Sequence, residues 1–167
     1  MTSAGLEAFN AADEDVAHAQ VLSCADVDRW AGEVVAGRPY ADVEAVLAAA
    51  RAVADPWTEE EIDSALARHP RIGERASGDD HDAAHSRREQ AGLGVLTGSV
   101  EERLREGNRA YEARFGHVFL IRAAGRSAEE ILASLGERLG NDPATERRIA
   151  GQQLREIAVL RLEGELS

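Results

Sequence analysis

The chain has 167 residues, and its 31 acids against 19 bases give a net charge of −12, which argues against nucleic acid and anionic membrane as partners. Its length suits one domain burying about 70% of its unfolded surface, and a hydrophobic fraction of 44% supplies the core. No apolar run approaches the ~20 residues that span a bilayer, residues 1–10 carry no signal-like stretch, and the C-terminus is not a Ser-Lys-Leu address, so a cytoplasmic protein is expected.

The elements read as helices almost throughout. Leu6, Phe9 and Asn10 form a first short turn, and helices follow over 13–24 and 26–36, the second carrying Trp30, Val34 and Val35. Gly37-Arg38-Pro39 stops the chain before an alanine-rich helix over 42–53, and Asp55-Pro56 breaks that one. The next helix runs over 58–68. Thr58 and Glu61 fit a capping box, and Ile62, Leu66 and His69 share one face. Pro70 then stops the helix, because it lacks an N–H and crowds the residue before it. His69 is thereby pinned at a rigid helix end, either as a cap that favours the dipole or as a group aimed at a ligand.

Residues 73–82 read as an exposed loop that could form a pocket wall or lid. A helix over 83–96 is weakened by Gly92 and Gly94, and one over 100–114 turns Leu104 and Tyr111 inward. Residues 115–122 are apolar and β-like, an extended segment among helices whose backbone must find partners, a ligand among the candidates. Ser127 and Glu130 cap a helix with Ile131, Leu132 and Leu135 on its apolar face. Asp142 and Pro143 open the last helix, to about residue 162, with Ile149, Gln153, Ile157 and Leu160 in one stripe. The expected fold class is all-α: a single domain over 1–167, folded as one compact irregular bundle of about eight or nine helices.

The chemistry is narrowed by absences. The chain contains no lysine, which excludes Schiff-base catalysis, attachment of pyridoxal phosphate and a P-loop lysine. Its single cysteine, Cys24, forms no intrachain disulfide and no C-x-x-C pair. Against these absences, Ser86, Glu89 and Gln90 fall on one helical face and offer a hydroxyl, a carboxylate and an amide to a small polar ligand. The same Ser-x-x-Glu pattern also reads as a capping box. His81, His85 and Glu89 recur at metal-binding spacing, although Asp82 replaces the glutamate that an H-E-x-x-H site requires. Arg161, among apolar neighbours, is either an inward guanidinium for a carboxylate or ureido group or a surface residue near a helix C-terminus.

An ordered set of short motifs runs nearly the whole length of the chain: Phe9-Asn10, Arg29-Trp30, Arg38-Pro39-Tyr40, His69-Pro70, Ser86-x-x-Glu89-Gln90, Ala91-Gly92-Leu93, Asn108-x-x-Tyr111, Phe115-Gly116, Phe119-Leu120-Ile121, Arg138-Leu139-x-Asn141 and Leu160-Arg161-Leu162. In these the chain resembles the OHCU decarboxylases, which act on 2-oxo-4-hydroxy-4-carboxy-5-ureidoimidazoline in urate degradation. The resemblance implies a compact all-α fold, no cofactor, a small ureidoimidazoline substrate and, in many members, a homodimer; with Asp82 in place of the required glutamate, no metal site is expected. It makes His69 the catalytic histidine, and Glu89 is expected to orient it or the leaving carboxylate. Pro70, Ser86, Gln90, Arg161 and the extended segment Phe119, Leu120, Ile121, Arg122 and Ala123 are placed in the substrate pocket. Two departures stand out. Many relatives read His-Pro-Asp-Leu-Ala-Gly where this chain has His69-Pro70-Arg71-Ile72-Gly73-Glu74, and Phe-Gly-Phe-Pro-Phe where His117-Val118 stands here. The rival readings are a metal-dependent ureide hydrolase built on His81, His85 and Glu89, and a non-catalytic helical interaction module.

Overall fold

The computed structural model describes residues 2–55, 57–73, 81–91, 93 and 98–167, with the backbone alone for 81–83 and 86. Pro56, most of the predicted 73–82 loop and the glycines at 92 and 94 lie outside the described residues. Among the described residues the chain is all-α, with nine helices and no strand. They are α1 Ala4–Ala11, α2 Glu14–Leu22, α3 Asp28–Ala36, α4 Val43–Val53, α5 Glu59–Leu66, α6 His81–Ala91, α7 Gly98–Phe115, α8 Ala128–Leu139 and α9 Pro143–Leu166. None of these helices is long and apolar enough to cross a membrane. They group into two units, Met1–Ala65 with Arg155–Ser167, and Leu66–Leu154.

In the first unit, helix ends are fixed by local hydrogen bonds that satisfy otherwise orphaned N–H groups. Ser3 Oγ accepts from Leu6 N at 3.0 Å, Asp42 Oδ1 accepts from Ala45 N at 2.8 Å, and Thr58 and Glu61 cap each other reciprocally at 2.9 and 3.2 Å. The apolar faces of these helices bury Leu6, Phe9, Val21, Trp30, Val34, Val46, Leu162 and Leu166. Trp30 donates Nε1 to Ala50 O at 2.9 Å and meets Trp57 edge-on at 5.9 Å, so its polar atom is satisfied inside the core. Arg38 donates to the carbonyls of Phe9 and Ala12 at 2.7 and 2.8 Å, which are among the last carbonyls of α1. Asn10 and the Tyr40 backbone bond reciprocally, both at 2.9 Å. The Phe9-Asn10 and Arg38-Pro39-Tyr40 motifs are therefore pins of this unit.

The second unit is organised on α7. Its buried residues Leu104, Asn108 and Tyr111 face a cluster completed by Ile72, Phe119, Ile121, Ala123, Ile131 and Leu135. Gly107 lets α8 come close: a Cβ there would lie 2.2 Å from Leu135 Cδ2. Ser127 and Glu130 form the predicted capping box of α8, and Asp142 caps α9 by accepting from Thr145 N at 2.9 Å.

Several boundaries differ from the sequence expectation. Helix α5 ends at Leu66, and His69 follows a tight turn in which its N–H donates to Leu66 O at 3.1 Å. Pro70 disfavours helical backbone at His69, so the helix stops earlier than its apolar face suggests. Helix α6 begins at His81 and α9 continues to Leu166. Leu160, expected in the buried stripe of α9, is 41% exposed, while Leu154 and Leu162 beside that stripe are buried.

Candidate active site

His69 and Pro70 open an irregular segment, both half-buried, whose following residues are tied down one after another. Arg71 Nε donates to both carboxylate oxygens of Glu112 at 2.9 and 3.1 Å. Ile72 is 7% exposed, and its carbonyl accepts from Asn108 Nδ2 at 3.0 Å. Gly73, at φ +90° in the left-handed region that glycine adopts without strain, donates its N–H to Gln90 Oε1 at 3.1 Å. That last bond brings the Glu89-Gln90 face of α6 to the His69 loop. Both Glu89 and Gln90 are half-buried. Ser86 is in the second turn of α6, inside the helix, so it is no N-cap and the capping-box alternative for Ser86-x-x-Glu89 falls. Its side chain lies outside the described residues.

The extended segment predicted after α7 is present without regular structure from Gly116 to Ser127. Phe119, Leu120, Ile121 and Ala123 are buried and Arg122 half-buried. Its backbone partners are mostly side chains. Leu120 O accepts from Arg138 NH1 at 2.6 Å, Arg122 N donates to Gln153 Oε1 at 2.8 Å, and Arg122 O accepts from Arg126 Nε at 2.9 Å. Ile121 N–H and C=O make no hydrogen bond among the described residues. A buried N–H and C=O with no partner among the described residues are the backbone features expected where a polar ligand docks.

Arg138 is held by Glu146, which is fully buried. Glu146 Oε1 accepts from Arg138 Nε at 2.6 Å and from Tyr111 OH at 2.6 Å, with Arg138 NH2 in close contact, and Oε2 accepts from Asn141 at 3.2 Å. Burial first, and the Glu146 carboxylate second, push the Tyr111 phenol far above the ordinary tyrosine value. Arg138 also stacks on Phe119, 4.6 Å from the ring centroid. Sequence reading missed Glu146 and the specific role of Gln153. An acid in the first turn of a helix reads as a dipole partner. Gln153 did leave a trace, as an amide on a stripe of apolar residues.

His117, one of the two departures, packs its ring edge-on against Tyr111 at 5.5 Å and donates Nδ1–H to Val118 O at 3.1 Å. Its ring also lies 6.3 Å from that of Phe115, so it joins the aromatic cluster around Tyr111. Arg161 belongs to the first unit. It is 4% exposed and donates to Cys24 O at 3.4 Å, so the surface-arginine alternative is overturned. All the other candidates fall in the second unit.

For the metal alternative, the His81 side chain lies outside the described residues. Arg88 donates to His85 Nδ1 at 3.0 Å, which engages that ring nitrogen and removes it as a ligand, and no group of three metal-binding side chains occurs among the described residues. A cavity of about 360 Å³ borders the His69 loop at Arg71, Ile72, Gly73 and Asn108. Two ion pairs on its rim, Arg71–Glu112 and Arg105–Glu101, offset most of its charge, and none of the candidate residues lines it.

An all-α chain that brings an imidazole-bearing loop, an acid–amide helix face and unpartnered extended backbone into one unit has the build of a small-molecule enzyme rather than of a scaffold. The sequence pattern of the family described as OHCU decarboxylase matches residues 10–163. The chain is similar to the 2-oxo-4-hydroxy-4-carboxy-5-ureidoimidazoline decarboxylase of Amia calva, with 36% identity over 135 residues, 80% of this chain and 77% of that protein. It is similar to the protein of the same name from Haloferax volcanii, with 31% identity over 140 residues, 83% and 82% of the two chains. Among solved structures, OHCU decarboxylase crystallised in the presence of (S)-allantoin aligns with a TM-score of 0.73 and 26% identity, covering 86% of this chain and 94% of that one. The chain belongs to the OHCU decarboxylase family.

Proposed function

We propose that His69 moves the protons, and Glu89 orients it, in the decarboxylation of 2-oxo-4-hydroxy-4-carboxy-5-ureidoimidazoline. That reaction, giving allantoin in urate degradation, is the activity of the family to which the chain belongs. The residue assignment is supported above all by the Gln90–Gly73 hydrogen bond, which joins the α6 face to the His69 loop.

Decarboxylation needs an acceptor for the electron pair of the breaking bond. A chain without lysine offers no imine for it. The substrate carries its own acceptor, a ring C=N bond beside the carbon that loses carbon dioxide. The C–C bond pair moves toward that C=N, which takes up a proton, and leaves an enol. The hydroxyl gives up its proton as the carbonyl forms, and the neighbouring ureido-bearing carbon receives one. No cofactor enters this balance. An imidazole, with an ordinary pKa near 6.5, can take the hydroxyl proton and deliver one to the carbon near neutrality, while the ring nitrogen draws its proton from solvent. Burial of the carboxylate among Phe119, Leu120 and Ile121 favours its loss as neutral carbon dioxide. Pro70, Ser86, Gln90, Arg122, Ala123 and the Ile121 N–H and C=O hold the ring and ureido groups, so that one face is protonated and (S)-allantoin results.

The test starts from urate with urate oxidase and hydroxyisourate hydrolase and follows optical activity, because spontaneous decay yields racemate. Wild type is expected to give (S)-allantoin, and His69→Ala and His69→Asn are expected to give racemate at the uncatalysed rate with an unchanged helical spectrum. Near-normal turnover by either variant removes His69 from the mechanism, and an unchanged rate in Glu89→Gln removes Glu89. Activity that tracks stoichiometric zinc and disappears with a chelator favours the hydrolase rival. Light scattering on purified protein tests the homodimer.

A further inference from the structure

The loop that carries His69 is braced from α7 by side chains that the reading above leaves without a role. Asn108 is 4% exposed, and its bond to Ile72 O is buried, where a hydrogen bond counts for more than at the surface. One turn further along the same helix face, Glu112 holds Arg71 through both of its oxygens. Upstream, His69 N–H closes onto Leu66 O, and Pro70 fixes its own φ. His69 and Pro70 are thus fixed on one side by the end of α5 and on the other by two residues of α7. The amide oxygen of Asn108 has no hydrogen-bond partner among the described residues, so only its donor half is used. A leucine would match its shape and lack the donor.

We propose that Asn108 is a positioning residue for His69, setting the aim of the imidazole through the Ile72 carbonyl, with Glu112 as the outer arm of the same brace. The inference rests on His69 being the proton-transfer group. Substrate binding draws on other residues, so release of the brace lowers turnover and leaves binding nearly unchanged. Misplacement by about 1 Å costs up to ~100-fold in rate.

The experiment compares wild type with Asn108→Leu in the chiral allantoin assay, with the folded fraction measured by circular dichroism. The His69 ring signals are read separately in long-range proton–nitrogen NMR spectra, assigned with His69→Asn. The expected result is a kcat lower by ~10- to 100-fold, a KM within about 2-fold and displaced His69 signals. Should Asn108→Leu fail to fold, Asn108→Ser is read in the same way. Glu112→Ala, on the exposed arm, is expected to lose ~2- to 5-fold in kcat, as a partial misplacement does. A folded Asn108 variant with kcat within about 2-fold of wild type overturns the proposal, and so does a kcat loss with unmoved His69 signals. If wild type makes no optically active allantoin, the functional reading falls, and the NMR comparison still decides whether Asn108 sets the His69 ring.

Discussion

Glu146→Gln is the sharpest perturbation of the second unit. Glu146 is 0% exposed, and every group that meets its two oxygens is a donor: Tyr111 OH, Arg138 Nε and NH2, and Asn141 Nδ2. Glutamine keeps the volume, removes the charge and turns one acceptor into a donor. Placed on the Arg138 side, its NH2 faces guanidinium N–H groups that cannot accept; placed on the other, it is accommodated only if the Asn141 amide flips. Arg138 is left as a buried guanidinium without its counter-ion. Removing one member of a buried ion pair costs about 3–5 kcal/mol, a large share of the 5–15 kcal/mol of a typical domain. Taking a loss of about 4 kcal/mol and a urea slope of about 2 kcal/mol per M, the midpoint falls by about 2 M. Urea titration followed by circular dichroism reads this directly. A midpoint lowered by less than about 0.5 M would refute the view that Glu146 is the charged centre holding Arg138, Tyr111 and Asn141.

Three further outcomes follow from the same unit. Folding holds the Tyr111 proton well above its ordinary pKa near 10, so above about pH 10 the unfolded chain releases a proton that the fold keeps. Stability then falls as pH rises, by up to about 1.4 kcal/mol per pH unit, and Tyr111→Phe removes most of that slope in alkaline urea titrations; Tyr40, also raised by burial, supplies the rest. Gly107→Ala gains up to about 1 kcal/mol of helix propensity but drives a methyl to 2.2 Å from Leu135 Cδ2, in a residue only 2% exposed. Overpacking costs about 1–3 kcal/mol, so the thermal midpoint drops, and a rise would show that α8 gives way freely. Gln153→Leu strips the Arg122 N–H of its acceptor, costs about 1–3 kcal/mol, and is expected to speed exchange of that amide; unchanged exchange would mean another group takes over.

What could be read from the sequence was what is decided locally. The Thr58–Glu61 and Ser127–Glu130 capping boxes stand where spacing put them, because both partners lie within one turn and need no tertiary contact. Leu104 and Tyr111 are buried as expected, since helical period alone decides which face is apolar. The stripe of α9 was misplaced because apolar residues sit at neighbouring phases: Leu160 is exposed, and the buried line passes through Ala150, Leu154, Ile157, Ala158 and Leu162. Arg161 shares that buried line, which is why its inward reading held. Glu146 had no local signature at all. Its partners come from α7, α8 and the residues beside them, so only the packed unit reveals that a first-turn acid is a core charge. His69 was found by its proline, whereas the bonds that fix its loop come from residues 17 to 41 positions away.

Helices use up their own backbone, and this has a consequence for an all-α enzyme of a substrate rich in amide groups. Peptide groups inside a helix are not available to such a ligand. Only non-helical backbone can offer an N–H and a C=O side by side, and buried backbone of that kind is costly unless something holds it. In a sheet, neighbouring strands would do so. Here side chains take that part: Arg138, charged and oriented by Glu146, meets Leu120 O, and Gln153 meets Arg122 N. They engage the residues on either side of Ile121, whose own N–H and C=O make no hydrogen bond among the described residues. The same logic applies at the other end of the unit, where Asn108 and Gln90 take the Ile72 carbonyl and the Gly73 N–H beyond His69. In both places the groups next to the proposed site are satisfied by side chains from helices, which fixes the backbone between them.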